Sequence, residues 1–189
     1  MAGFKITREI IEKSPGPSKC VSWTQSYVGK GLKRMEIRSV TSESDYENEM
    51  YVRYSEDNGR TFSEPVPWHY DNGEIFYSPA SISRFFRSTK NGKAYWFGNI
   101  TGPEAYGNSP RYTLIMAEVD EETGFLKKET YTLVDDRNPE TESEELQLSN
   151  FSLLEDRETK SIELYLTKLE AYREDRWRGD AYRYTIEVD

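Results

Sequence analysis

The chain has 189 residues, the length of one ordinary domain, and 14% of them are aromatic, which is enough to build a core. Its formal net charge is −9 and no basic stripe is visible, so nucleic acid is not an expected partner. No apolar run is long enough to cross a bilayer, no signal peptide is recognisable, and a single cysteine excludes an internal disulfide. As written, the chain is expected to be soluble and cytoplasmic, or secreted or periplasmic if it is a processed form or a fragment.

A strand–turn–strand pattern occurs three times in the chain, in residues 19–40, 82–100 and 151–168. The three copies begin near Val21, Ile82 and Phe151, and the second contains Asn91-Gly92, a strong signal for a hairpin turn. Similar spacing of one supersecondary unit is typical of a repeat architecture.

Each copy is followed by one or two further strands, predicted in residues 49–55, 64–69, 111–119, 126–135 and 180–188. Helical periodicity is weak throughout. Four antiparallel strands per unit describe a blade of a β-propeller. We therefore predict an all-β fold with residues 1–189 in one domain, and about three four-stranded blades in residues 19–70, 78–135 and 148–189.

The third predicted blade ends after its third strand. Residues 4–12, with the sequence FKITREIIE, read as a strand that precedes the first blade. This strand could complete the last blade of its own chain or of a partner chain, or it could be an unrelated edge strand.

The octapeptide SEDNGRTF, residues 55–62, matches the pattern S-x-D-x-G-x-T-aromatic, known as an Asp-box. Asp57 can accept hydrogen bonds from the backbone amides that follow it, and Gly59 can take a positive φ at low cost. Phe62 can pack between the third and fourth strands. The alternative interpretation of this segment is an ordinary hairpin turn.

With this motif, the sequence resembles the sialidase, or BNR/Asp-box, repeat family. The similar stretches are MYVRYSEDNGRTFSEPVPW, NSPRYTLIMAEVDEETG, LQLSNFSLLEDRETKSIELYLTK and DAYRYTIEV, which together cover most of the chain. The resemblance implies a sialidase-like β-propeller, and family members usually have six blades. This chain has material for about three, half of a six-bladed ring.

Either the chain is a fragment of a larger protein, or two copies pair as a homodimer to form one six-bladed ring. A lone half-ring would leave the apolar faces of its terminal blades in water, and such faces favour association. The residues expected on those faces include Trp23, Tyr27, Phe151 and Leu153.

Alternate loops of an antiparallel blade lie on opposite faces, and the resemblance places a sugar pocket on the face away from the Asp-box. The loops expected on that face are residues 41–48, 63–80, 98–110, 136–150 and 169–179. A sialidase needs arginines for a carboxylate, a carboxylic acid that protonates the leaving oxygen, and a tyrosine nucleophile beside a glutamate. The family's N-terminal arginine motif is not found here, and no Tyr–Glu pair can be named.

Asp45 is the candidate catalytic acid, because the resemblance places the family's acid in the corresponding loop. Glu43 and Glu47 compete for that role, and a solvated acidic loop is the alternative. Arg111 is the candidate anion-binding residue of the catalytic site, and Asn108, just before it, is a candidate substrate contact. A surface or structural arginine is the alternative for Arg111.

Three further arginines are expected on this face: Arg137, Arg176 and Arg178. Of these, Arg137 and Arg178 are named as substrate-binding. Trp68, His69 and Tyr70 are candidate sugar contacts because aromatic faces stack on sugar rings, and packing between blades is the alternative. No metal site is expected, because His69 is the only histidine, and no cofactor motif is found.

Three functions are compatible with these features. The first is a sialidase-like glycoside hydrolase acting on an anionic or decorated glycan. The second is a non-catalytic carbohydrate-binding or protein-interaction propeller. The third is an inactive fragment of a larger sialidase-like protein. Carbohydrate is the expected partner in the first two.

Overall fold

The computed structural model describes residues 19–28, 33–42, 50–102 and 107–189. Its regular structure in these ranges is β-strand, apart from a single 3-10 turn at Lys128–Thr130. No helix in the described part of the chain has the length and apolar character needed to span a membrane. The expected all-β fold class is confirmed.

Three antiparallel sheets follow one another along the chain. The first contains β1 (Lys19–Val28), β2 (Arg34–Ser42), β3 (Tyr51–Ser55) and β4 (Val66–Pro67). The second contains β5 (Arg84–Arg87), β6 (Ala94–Asn99), β7 (Leu114–Glu118) and β8 (Thr132–Asp135). The third contains β9 (Ser152–Glu155), β10 (Ile162–Thr167) and β11 (Ala181–Ile186).

Each sheet is a meander in which consecutive strands are hydrogen-bonded neighbours, and the three sheets begin close to the predicted positions. The third sheet has three strands among the described residues, as expected. The strand predicted in residues 4–12 lies outside the described residues. The sheets of the described chain do not close into a ring.

Two of the predicted fourth strands are shorter than expected. The fourth strand of the first sheet is reduced to two residues, because Pro65 and Pro67 have no N–H group to donate to a ladder. The fourth strand of the second sheet begins at Thr132 instead of Leu126, because the 3-10 turn at Lys128–Thr130 interrupts the extended chain.

The second sheet lies between the other two and is buried on both faces. All residues of β6 and β7 are buried, and alternate residues of β6 belong to different clusters. Ala94 and Trp96 pack with side chains of the first sheet, whereas Tyr95 and Phe97 pack with side chains of the third. Because successive strand residues point to opposite faces, an almost continuous apolar run is what a doubly covered strand requires.

The outward face of the third sheet carries different residues from those predicted. Phe151 is 3% exposed and Leu153 is half-buried, and both pack toward the second sheet. Strand alternation turns Leu154 and Tyr165 outward instead, with 46% and 37% of their surface exposed. The side chains of Trp23 and Tyr27 lie outside the described residues.

The Asp-box forms the expected turn between β3 and β4. One carboxylate oxygen of Asp57 accepts hydrogen bonds from the amides of Arg60 and Thr61 at 3.0 and 2.9 Å, and the other accepts from the Thr61 hydroxyl at 2.8 Å. These bonds, with that of the Thr61 amide the largest contributor, lower the pKa of Asp57 to about 2. Phe62 is half-buried, less than predicted, and the Arg53 guanidinium covers its ring at 4.2 Å.

Gly124, in the turn after β7, packs closely against side chains of the first sheet. Its φ is +79°, and a Cβ atom there would lie 2.6 Å from Met35 Sδ and 2.7 Å from Tyr54 Cε1. Its carbonyl accepts a hydrogen bond from Trp68 Nε1 at 2.9 Å, and the neighbouring Thr123 carbonyl accepts one from the Tyr54 hydroxyl at 2.8 Å. Burial raises the pKa of Tyr54 to about 12, so the hydroxyl stays protonated and able to donate.

Replacing Asp57 by Asn should make stability less dependent on acid pH. The folded carboxylate has a pKa of about 2, below the ordinary value of 3.8, so the unfolded chain takes up the proton first and the stabilisation is lost as pH falls from about 5 to 2. Urea midpoints of wild type and Asp57→Asn should therefore differ most above pH 5 and converge near pH 2. The control is Glu56→Gln in the same turn, whose carboxylate faces Lys33 at 3.5 Å. A difference that stays constant with pH would contradict this account.

Alanine at Gly124 should destabilise the fold more than alanine at Gly73. Both glycines have a positive φ, which costs an alanine about 1 kcal/mol. Nothing lies within 4 Å of a Cβ at Gly73, whereas at Gly124 the overlap with Met35 and Tyr54 adds about 1–3 kcal/mol. Chemical denaturation of the two variants measures this difference, and equal losses would show that the sheets do not pack as described.

Candidate functional site

Loops from the second and third sheets meet at the face opposite the Asp-box turn. Gln147 forms a parallel bridge with Arg111 and an antiparallel bridge with Leu169, so three separate loops are joined side by side. These are the loop between β6 and β7, the connection from β8 to β9, and the loop between β10 and β11. Loop alternation predicted this grouping.

Asn99, the last residue of β6, joins two of these loops through hydrogen bonds to their backbone. Its side chain is fully buried and donates to the carbonyls of Arg111 and Leu148 at 3.2 and 3.0 Å. Its side-chain oxygen accepts a hydrogen bond from the Ser81 hydroxyl at 2.9 Å, and the Leu148 amide donates to the Arg111 carbonyl at 2.7 Å. The backbone of Arg111 is therefore held in place from two sides.

A cavity of about 280 Å³ opens between these loops. It is lined by polar and charged residues, namely Asn108, Ser109, Arg111, Glu145, Gln147, Glu170 and Arg176. The amide and hydroxyl groups can donate and accept hydrogen bonds, and the two guanidinium groups can bind an anion.

The two arginines of the cavity differ in how their charge is balanced. Arg176 lies between two carboxylates, with Nε 3.2 Å from Glu145 and Nη2 3.0 Å from Glu170. The Arg111 side chain is half-buried and forms no hydrogen bond or ion pair with another residue of the described ranges. Burial lowers the pKa of Arg111, and the charge of Glu170 offsets only part of this shift. An anion beside Arg111 would relieve that cost of burial.

Each of the three loops also contains a residue with a positive φ. Thr113, Asn150 and Glu170 each have a positive φ, at 64°, 59° and 56°, and each lies in one of the three loops. A positive φ is uncommon for residues other than glycine and unusual for a β-branched residue such as threonine. Strain of this kind persists where the surrounding structure enforces it, as it often does at binding sites.

The structure brings together two of the residues selected from the sequence, Asn108 and Arg111, which line the same cavity. Arg137 lies on an adjacent loop, where its guanidinium donates to the Glu142 carbonyl at 3.2 Å and covers the Tyr112 ring at 5.3 Å. Arg178 stacks on the ring of Tyr172 at 4.2 Å. Asp45, with its competitors in residues 43 and 47, lies outside the described residues.

Trp68, His69 and Tyr70 do not line this cavity. Trp68 and Tyr70 are 1% and 2% exposed and pack in the core between the first and second sheets. His69 stacks on Phe125 with ring centroids 3.9 Å apart, and its Nδ1 lies 2.6 Å from the Tyr70 carbonyl. These contacts support a packing role, which was the alternative reading of all three residues.

A larger cavity of about 330 Å³ lies on the opposite face, between the Asp-box and the turn at residues 119–124. Its cations already have partners, since Lys33 faces Glu56 at 3.5 Å and Arg34 donates to Asn58 at 2.7 Å. The Asp120 carboxylate accepts from its own turn. This cavity therefore offers no charged group comparable with Arg111.

A third cavity, of about 210 Å³, is lined by residues that hold the second and third sheets together. Lys168 is 9% exposed and lies 2.8 Å from Glu142 and 3.2 Å from Asp135, which also accepts from the Tyr184 hydroxyl at 2.5 Å. Burial alone would lower the pKa of Lys168, but these two carboxylates outweigh it and the pKa is raised. Burial and Asp135 raise the pKa of Tyr184, which makes it a poor nucleophile.

Several lining residues were not selected individually from the sequence: Ser109, Glu145, Gln147 and Glu170. All lie in or beside the loops predicted for this face, but no local motif distinguishes them from solvated loop residues. Arg176 was grouped with Arg137 and Arg178, and it alone of the three lines the cavity. In the described ranges, no group of three or more His, Cys, Asp or Glu side chains is arranged to hold a metal ion.

Comparison of the sequence with protein-family models and with curated proteins gives no match. Among solved structures, the fold is similar to that of an N-acetylgalactosamine deacetylase from F. plautii, determined in complex with blood group B trisaccharide. The alignment has a TM-score of 0.50 and 14% sequence identity, and it covers 81% of this chain. It covers 46% of the deacetylase chain, so this chain spans less than half of that protein's length. At this identity the similarity concerns the fold.

Proposed function

We propose that this protein binds an anionic carbohydrate in the cavity that contains Arg111, and that its three sheets are consecutive blades of a sialidase-like β-propeller. The observation that carries the proposal is the half-buried Arg111 guanidinium. It opens on a polar cavity and forms no ion pair with a described residue, whereas Arg176 beside it is already paired. A carboxylate fits this site because a guanidinium binds it through two parallel hydrogen bonds.

The remaining lining suits a sugar better than a small inorganic anion. Asn108 and Gln147 offer amides, Ser109 offers a hydroxyl, and Glu145 and Glu170 offer acceptors. Sugar hydroxyls both donate and accept hydrogen bonds, so a mixed set of donors and acceptors around one cation matches an acidic sugar. A volume of about 280 Å³ is of the right order for a single sugar unit.

The arrangement of the sheets supports the propeller part of the proposal. Each sheet packs its face on the next in chain order, and β1 and β5, the first strands of two sheets, approach each other. Blades of a propeller are packed in this way, with their first strands nearest the axis. The F. plautii deacetylase of similar fold was solved with a trisaccharide, which is consistent with a carbohydrate ligand here.

Hydrolysis of a glycosidic bond is the second candidate, favoured by the two carboxylates that line the cavity. A hydrolase also needs a protonated acid near the leaving oxygen. Glu145 and Glu170 are both already paired with Arg176, at 3.2 and 3.0 Å, so Asp45 remains the proposed acid of such a reaction. Binding is therefore the activity that the described residues support best, and hydrolysis rests on Asp45.

Replacing Arg111 by Gln should weaken the binding of acidic sugars about tenfold to a hundredfold, since hydrogen bonds to charged groups contribute about 1.5–3 kcal/mol. Isothermal titration with galacturonic acid and N-acetylneuraminic acid measures this loss, with galactose as the neutral probe. Arg111→Lys should retain part of the affinity because it keeps the charge but loses the planar fork.

The matched control is Arg157→Gln, an exposed arginine in the turn between β9 and β10, on the opposite face. It removes the same charge and should leave affinity unchanged. Equal binding by wild type and Arg111→Gln, or equal loss in both variants, would contradict a specific anion site at Arg111. No binding of any acidic sugar by the wild type would overturn the proposed function.

A further inference from the structure

The loop between β10 and β11 carries a tryptophan that the described residues leave almost fully uncovered. Trp177 is 93% exposed, whereas each other exposed large hydrophobic residue of the described ranges is at most 53% exposed. A fully solvated indole is costly, because aromatic side chains are among the largest contributors of apolar surface. A ligand that packs on the ring would remove this apolar surface from water.

We propose that Trp177 is a stacking platform for a second sugar unit, attached to the acidic sugar that Arg111 binds. This inference rests on the proposed function and extends it from a single sugar to an oligosaccharide. The apolar C–H face of a pyranose ring packs on an indole, while the sugar hydroxyls around the ring edge remain in water.

The position of Trp177 follows from its neighbour in the chain. Arg176 lines the cavity and is held there by Glu145 and Glu170, which belong to two different loops. Trp177 is the next residue in the chain, and we infer from this adjacency that its ring lies at the rim of the same cavity. A sugar unit linked to one inside the cavity would emerge at this rim.

The turn that presents the indole is ordered by contacts of its own. Asp175 accepts hydrogen bonds from the amides of Trp177 and Arg178, at 3.3 Å to its side chain and 3.1 Å to its carbonyl. Arg178 stacks on Tyr172, and at Gly179 a Cβ would lie only 2.9 Å from the Lys168 carbonyl, so the chain returns closely packed. A preorganised aromatic loses little conformational entropy when a ligand stacks on it.

The surroundings of Trp177 favour a sugar over a protein or a membrane. Its neighbours on both sides are charged, from Arg173 to Arg178, so the indole is a single apolar ring and not part of a contiguous apolar patch. A protein interface needs a larger patch, and an anionic bilayer is disfavoured by the formal net charge of −9. The apolar area of one indole ring is sufficient for stacking of one pyranose ring.

The test compares two lengths of one acidic saccharide, galacturonic acid and its trisaccharide, by isothermal titration of the full chain. Wild type should bind the trisaccharide more tightly than the monosaccharide. Trp177→Ala should weaken trisaccharide binding about threefold to tenfold and leave monosaccharide binding unchanged, and Trp177→Phe should retain most of the gain. The control is Tyr165→Ala, an exposed aromatic on the outward face of the third sheet.

Fluorescence provides a second readout, because the difference between the emission spectra of wild type and Trp177→Phe isolates the solvated Trp177 from the other tryptophans, of which Trp68 and Trp96 are buried. The trisaccharide should shift the emission of wild type to the blue, with a smaller shift in Trp177→Phe. Equal trisaccharide affinity in wild type and Trp177→Ala would overturn the platform and leave the Arg111 site standing. Equal loss for both saccharides would also overturn it, and failure of wild type to bind either would overturn both proposals.

Discussion

The burial of the second sheet on both faces is the constraint on which the rest of the structure depends. Because β6 and β7 carry apolar side chains on alternate sides, the first and third sheets must pack on opposite faces of the second. Gly124 sets how closely the first contact can form, and the Lys168 network links the second sheet to the third. The order of the sheets in space is therefore their order in the chain.

This stacking has a direct consequence for the loops. Three meanders packed in the same orientation place equivalent loops at the same end, so polar segments distant in sequence meet beside Arg111. The buried side-chain amide of Asn99 fixes the positions of two of these loops, because it donates to the carbonyls of both Arg111 and Leu148. At the opposite end, the Asp57 carboxylate is satisfied within the Asp-box turn, and Arg34 at the start of β2 donates to Asn58 of that turn. The Asp-box hydrogen bonds and the proposed binding site therefore lie at opposite ends of the same sheets.

The sequence predicted those features that depend on local pattern. The strand periodicity, the Asp-box hydrogen bonds of Asp57 and the grouping of Asn108 with Arg111 all follow from neighbours in the chain and from loop alternation. Trp68 was selected as a sugar contact and not as a core residue, because its hydrogen-bond partner, Gly124, lies in the turn of another sheet. Arg176 was no stronger a candidate than its neighbours for the same reason, since Glu145, which helps to hold it, belongs to a distant loop. Long-range partners of this kind leave no local signal.

The most direct test of the central claim is an amide chemical-shift titration of the isotope-labelled chain with galacturonic acid, recorded by NMR. The account predicts that the perturbed amides cluster at the loop end, at Asn108, Gln147 and Glu170, while those of Asp57 and Thr61 in the Asp-box remain unchanged. Perturbations centred on the Asp-box end, or absent from the loops around Arg111 at saturating sugar, would contradict it.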